Sequence, residues 1–200
     1  MIRSFLLFVM FAAGVAAAQA EIIKVKIATT MGDIHLDLYE DKAPITVLNF
    51  MRHVDGGHYT DGAFYRVVRM DNQVQNDIKV EVIQGGMSGN SDIGLFDPIK
   101  LERTRDTGIK HLDGAISMAR GGPDTATSEF FICLNDQPSL DFGGMRNPDG
   151  QGFAAFGVVT KGMDVVRAIQ NVETDPPTGE EYTSGQRVLN PVMIRSVTRE

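Results

Sequence analysis

Three residues in this chain have types and surroundings from which chemistry could be built: Arg66 and Gln84 in "DGAFYRVVRMDNQVQNDIKVEVIQGG", and Phe131 in "SEFFICL". Read as a strand, "AFYRVVRM" places Phe64, Arg66, Val68 and Met70 on one face and Tyr65, Val67 and Arg69 on the other. Each face carries an arginine, so one guanidinium is aimed at an otherwise apolar surface. An unpaired charge there is costly and calls for a partner, a wet cleft or a job. By the same alternation Gln84 shares a face with Val80 and Val82, and Phe131 shares one with Glu129 and Cys133. On neighbouring strands these three residues would line a groove with an apolar hole and two polar handles. Pattern alone equally allows an exposed Arg66 and Gln84 above a core Phe131.

Other chemistries lack their signals. The nucleophile-elbow pattern G-x-S-x-G and Walker-type loops are absent, and His35, His53, His58 and His111 show no spacing typical of a zinc site. The paired glycines at 85–86, 121–122 and 143–144 read as turns. Cys133 is the only cysteine, so no intrachain disulfide can form, and its place in "EFFICL" reads as a packed small hydrophobe. A net charge of −7 with scattered Lys and Arg speaks against nucleic acid as a partner.

The elements that must hold such a groove follow from the hydropathy periods. Residues 1–20 stand apart: Arg3, the apolar run Phe5 to Val15 and the small-x-small Ala18-Gln19-Ala20 read as a secretory signal peptide, leaving 21–200 as one exported domain with no membrane attachment after cleavage. "KVKIATTMGDIHLDLYE" alternates about a Met-Gly-Asp turn, the pattern of a β-hairpin with one wet face. From Pro44, Val47, Phe50, Met51 and Val54 fall at helical spacing until Gly56-Gly57. Short apolar runs follow at 63–70, 78–84, 114–119, 129–134 and 153–159. A helix is expected over Met163 to Gln170 and a closing strand in "PVMIRSVTR". Short strands, two helices and 21 glycines point to a closed antiparallel barrel or a sandwich.

"FYRVV", "VIQGG", "GAISMARGGPDTATSEFFICL" and "FAAFGVVTKGMDVV" together resemble the cyclophilin-type peptidyl-prolyl cis-trans isomerases, in order from Val25 to Val197, and the leader makes the chain similar to exported, periplasmic bacterial members. The resemblance implies a mainly β fold: a closed eight-stranded antiparallel β-barrel capped by two α-helices, filled inside, with an active groove on its outer surface. It selects Arg66 over Arg69 as the catalytic arginine. Gln84 becomes the glutamine before the double glycine, and Phe131 the floor of the proline pocket. Ala119 and Arg120 correspond to the strand whose backbone holds the peptide, with Met118 beside them. Leu140 and Phe153 correspond to the far wall, and Phe64, Val82 and Glu129 complete the substrate-binding set. Partners would be proline-containing unfolded or partly folded polypeptides bound by a monomer, without cofactor or metal.

The match departs from the family pattern in four places. The family keeps this arginine and glutamine closer together with a Phe-Met pair between them, whereas here residues 67–83 intervene and "MDNQVQND" reads as an inserted polar loop. Val82 has the register of the missing methionine, and the phenylalanine has no counterpart. Glu129 replaces a glutamine; Ser139 replaces an aromatic, often tryptophan; Phe153 replaces histidine or tyrosine. These departures lead to the expectation of a shallower, more negative groove. They also keep open a chaperone or scaffold that binds proline segments with little turnover, and an unrelated ligand-carrying barrel.

Overall fold

Alternation decides the first hairpin of the computed structural model, which describes residues 22–87, 95–178 and 181–200. The segment read as a signal peptide lies outside the described residues. β1 (Ile22–Thr29) and β2 (Gly32–Tyr39) pair in antiparallel register. Val25, Ile27, Ile34, Leu36 and Leu38 are fully buried on one face, while on the other Lys24 reaches Asp37 at 3.0 Å. Period-2 burial of this kind is what a sheet with one wet face requires.

The chain continues through α1 (Pro44–Asp55), β3 (Ala63–Val68), β4 (Val82–Gly86), a single-turn α2 (Thr104–Thr107), β5 (Ala115–Met118), β6 (Phe130–Cys133), β7 (Ala154–Lys161), α3 (Met163–Gln170) and β8 (Arg187–Arg199). The strands close into a barrel in the order β1-β2-β7-β5-β6-β4-β3-β8, with all neighbours antiparallel. Closure removes every free sheet edge. The expected eight-stranded barrel is present, with three α-helices rather than two among the described residues. The extra one, α2, is too short to leave an amphipathic signature.

Two cores result. Inside the barrel, Phe64, Ile83, Ile116, Phe130 and Phe156 pack beneath Phe50 of α1, whose Val47, Met51 and Val54 are buried with it as the helical spacing required. Pro44 opens α1 where its missing N–H costs nothing. Outside the barrel, a second cluster gathers Val68, Val80, Val82, Phe131, Cys133 and Leu140. This outer cluster is the floor of the groove. The run expected as a strand over 78–84 is paired only over 82–86, so the glycines 85–86 lie in a strand and not in a turn. A Cβ on Gly85 would stand 2.7 Å from the backbone carbonyl oxygen of Ala63 on β3, which explains why glycine is needed there.

Candidate active site

The site is one row of residues across four adjacent strands. Arg66 on β3 pairs with Gln84 on β4, Gln84 with Phe131 on β6, and Phe131 with Ser117 on β5. A second row, Val68, Val82 and Cys133, runs beside it on the same outer face. The rows exist because β3 carries a bulge between Phe64 and Arg66, seen as a register shift against both of its neighbours. Strict alternation would put Phe64 and Arg66 on one face. The extra residue at the bulge sends Phe64 into the barrel and leaves Tyr65 and Arg66 outside.

Arg66 is held on two sides. Its Nη1 donates to Gln84 Oε1 at 2.8 Å, and its Nε and Nη2 donate to Gln186 Oε1 at 2.9 and 2.6 Å. Three of its five N–H groups are used in these bonds, and the Tyr182 hydroxyl engages the guanidinium as well; the donor capacity that remains is what a substrate would meet. Gln84 is fixed in turn: its Nε2 donates to the Tyr65 hydroxyl at 2.9 Å, and Tyr65 donates to Glu129 Oε2 at 2.5 Å. Glu129 Oε1 accepts from the Met87 amide at 2.9 Å. Burial, reinforced by the Glu129 carboxylate, holds the Tyr65 phenol far above its usual range, so it remains a donor. Burial pulls the Arg66 guanidinium below its usual value, and arginine stays charged nonetheless.

The cavity beside this row holds about 230 Å3. Phe131 forms its base, and Phe153 meets that ring edge-on at 5.4 Å. Beneath, the His111 ring stacks on Phe131 at 6.0 Å and 15°. The Asp141 carboxylate can only accept, so His111 Nδ1 donates to Asp141 Oδ1 at 2.9 Å, and Nε2 accepts from the Ser117 hydroxyl at 2.9 Å. Burial lowers the His111 pKa and thereby keeps the ring neutral.

Arg66, Gln84, Val82, Phe131 and Ala119 all line the cavity, as do Arg120, Leu140 and Phe153. Three residues expected to bind substrate do not line it. Phe64 and Met118 are fully buried inside the barrel, Phe64 because of the bulge and Met118 because it alternates with the outward Ser117. Glu129 stands behind the row, where it fixes Tyr65 rather than meeting a ligand. The groove is accordingly not more negative: three guanidiniums, Arg66, Arg120 and Arg146, border it. Arg120 is the one of the three with a counter-ion among the described residues, chelated by Asp149 at 2.8 and 3.0 Å and laid over Phe153 at 4.8 Å. Val68 and Val80 supply the wall that the missing Phe-Met pair would have made. The stretch 69–80 is less exposed than its polarity implied, since Asn72 and Gln73 are buried. Its Gln73 Nε2 bonds the Arg69 and Val80 carbonyls, both at 2.7 Å. Arg69 leaves the groove altogether: its Nη1 donates to the carbonyls of Gln170 and Val172 at 2.9 and 3.2 Å, at the C-terminal end of α3.

Sequence reasoning missed Tyr65, Gln186, Tyr182 and Arg146. Alternation assigned Tyr65 to the opposite face, and the other three lie in loops without a periodic signal.

The model of the family described as "Cyclophilin type peptidyl-prolyl cis-trans isomerase/CLD" matches residues 24–199. The chain belongs to this family, and with it to this class of enzyme. Among curated cyclophilins, it is 36% identical to peptidyl-prolyl cis-trans isomerase cyp18 of Streptomyces antibioticus, over 86% of this chain and 95% of the relative. It is 37% identical to peptidyl-prolyl cis-trans isomerase B of Escherichia coli, over 73% of this chain and 83% of the relative. A crystal structure of a cyclophilin-type isomerase from Cryptosporidium parvum, 21% identical, superposes with a TM-score of 0.68 over 90% of this chain and 98% of its own. A second structure of that protein was determined in the presence of the dipeptide Ala-Pro.

Proposed function

We propose that this cyclophilin accelerates rotation about X-Pro bonds in exported proteins by a hydrogen bond from Arg66 to the prolyl nitrogen. Rotation breaks amide resonance at a barrier of about 18–20 kcal/mol. In the planar ground state the prolyl nitrogen is no acceptor. In the twisted transition state it recovers its lone pair. A donor fixed at that point binds the transition state alone, which is catalysis without proton transfer or covalent bond. The observation that carries this reading is the Gln84 and Gln186 clamp on Arg66, which fixes a guanidinium with donor capacity to spare beside a cavity floored by Phe131. The ring of the proline would rest on Phe131 between Val82 and Leu140. Ala119 would hold the flanking backbone so that rotation is confined to one bond. The fixed donor Arg66 supports turnover over the alternative of a binding-only chaperone, because it serves the transition state alone, whereas the wall of Val68, Val80 and Val82 would seat the ring in either case.

The test is a protease-coupled isomerase assay on residues 21–200, wild type against Arg66→Ala. A charge-assisted hydrogen bond contributes roughly 1.5–3 kcal/mol, and each ~1.4 kcal/mol made only in the transition state is a factor of ten. Arg66→Ala should therefore lose tenfold or more in kcat/KM while remaining folded. A folded Arg66→Ala protein with wild-type turnover would overturn the mechanism. Export rests on the leader-like residues 1–20 and is part of the same proposal.

A further inference from the structure

Arg146 is a second guanidinium on the groove with no carboxylate to neutralise it among the described residues. It sits in the stretch between Leu140 and β7, its backbone N–H bonded to Ser139 O at 3.1 Å, and it is only 8% exposed. Its Nη1 donates to Gln73 Oε1 at 3.1 Å and to Ile78 O at 2.6 Å, which fastens it to the stretch 69–80. Nε and Nη2 have no acceptor among the described residues, and no described carboxylate lies within ion-pair distance of Arg146 or of Arg66. Both guanidiniums lean on one ring, Tyr182, with Arg66 at 5.1 Å and Arg146 at 5.8 Å from its centre. Both line the cavity whose base is Phe131. A charge that has lost most of its water and has no counter-ion is an unmet demand for an anion. In a protein of net charge −7 this spot is opposite in sign to the whole. The buried Gln73 and the Ile78 carbonyl fix the guanidinium in place, so little rotamer freedom is lost when an anion binds.

We propose that Arg146 makes the groove select proline segments that carry a carboxylate on a residue next to the proline. The inference rests on the isomerase reading of the site: with the proline ring on Phe131, the Nε and Nη2 edge of Arg146 meets the flanking residue. Asp or Glu beside proline is the substrate chemistry that completes the site. A bidentate guanidinium–carboxylate pair supplies the geometry as well as the charge.

The experiment uses wild-type residues 21–200 and short blocked peptides with Asp, Asn, Glu or Gln immediately before or after proline, and a matching peptide with a free C-terminal carboxylate after proline. Turnover is read by NMR exchange and affinity by titration. At one flanking position the acid should exceed its amide in kcat/KM about fivefold to tenfold. That ratio should shrink in ~0.5 M salt, fall towards one in Arg146→Gln, and survive in part in Arg146→Lys. A preference for the free C-terminal carboxylate alone would replace the side-chain source and overturn the proposal, as would equal handling of acid and amide by the wild type. The two readings fail separately. Loss of turnover on every peptide with the acid preference kept in binding would remove the isomerase reading and leave the selectivity.

Discussion

At the scale of single residues, the chain Glu129–Tyr65–Gln84–Arg66–Gln186 explains why a glutamate can stand where the family has a glutamine. The carboxylate orients a phenol, the phenol orients an amide, and the amide aims a guanidinium. Tyr65→Phe cuts this chain without touching the cavity. A neutral hydrogen bond contributes about 1 kcal/mol, so kcat should fall about fivefold while KM changes little. A drop in affinity with kcat unchanged would show that Gln84 binds substrate independently of Tyr65. Arg69→Ala provides the contrast. The side chain bonds carbonyls beyond α3 and not the groove, so isomerase activity should survive. Stability should fall by about 1–2 kcal/mol, or about 2–4 °C of Tm per kcal/mol. An active-site defect in folded Arg69→Ala would mean that the wrong arginine has been given the role.

At the scale of elements, the floor of the pocket rests on a polar pair. His111 and Asp141 come from the segments before β5 and after the Pro138–Leu140 turn, and Lys110 lies 3.6 Å from the same carboxylate. Burial lowers the His111 pKa. For Asp141 burial acts upward, but the hydrogen bonds from the His111 ring and backbone N–H, with the Lys110 charge nearby, outweigh it and hold the carboxyl low. In both cases the unfolded chain binds protons more readily than the folded one. The stabilisation is therefore complete near neutrality, is lost first as pH falls through the ordinary histidine value of about 6.5, and then further as it falls through that of the aspartate. Thermal melts from pH 7 to pH 5 should show a falling Tm for the wild type and a shallower slope for His111→Gln. Equal slopes would remove His111 from the account. Turnover between pH 6 and 8 should stay flat, since Arg66 remains charged across that range and the proposed mechanism moves no proton.

At the scale of the whole molecule, the barrel places its single cysteine where no reagent reaches. Cys133 is fully buried beneath the groove, and burial pushes its thiol well above the usual range. A thiol reagent should leave the native protein unlabelled and modify it only after denaturation; rapid labelling of native protein would mean that the groove opens. The export proposal belongs to this scale too. Mass spectrometry of the protein recovered from its own cell should find a chain that begins at Glu21, and one that keeps Met1 would remove the export reading.

The hydrophobic periods were enough to determine the first hairpin and the buried stripe of α1, because alternation and helical spacing are local properties of the chain. The barrel over the sandwich, and Arg66, Gln84 and Phe131 as one group, came from the resemblance of the ordered motifs to the cyclophilin family. The bulge after Phe64 was not legible. It shifts the register by one residue at a position where either face accepts a side chain, and only pairing with β4 and β8 fixes it. The same holds for the partners that aim Arg66. Gln186 lies 120 positions along the chain, and Tyr182 and Arg146 sit in loops whose conformations are set by what they close against. No short-range pattern encodes a contact of that span. Tertiary structure decided which polar groups surround the arginine, and with them the charge of the groove.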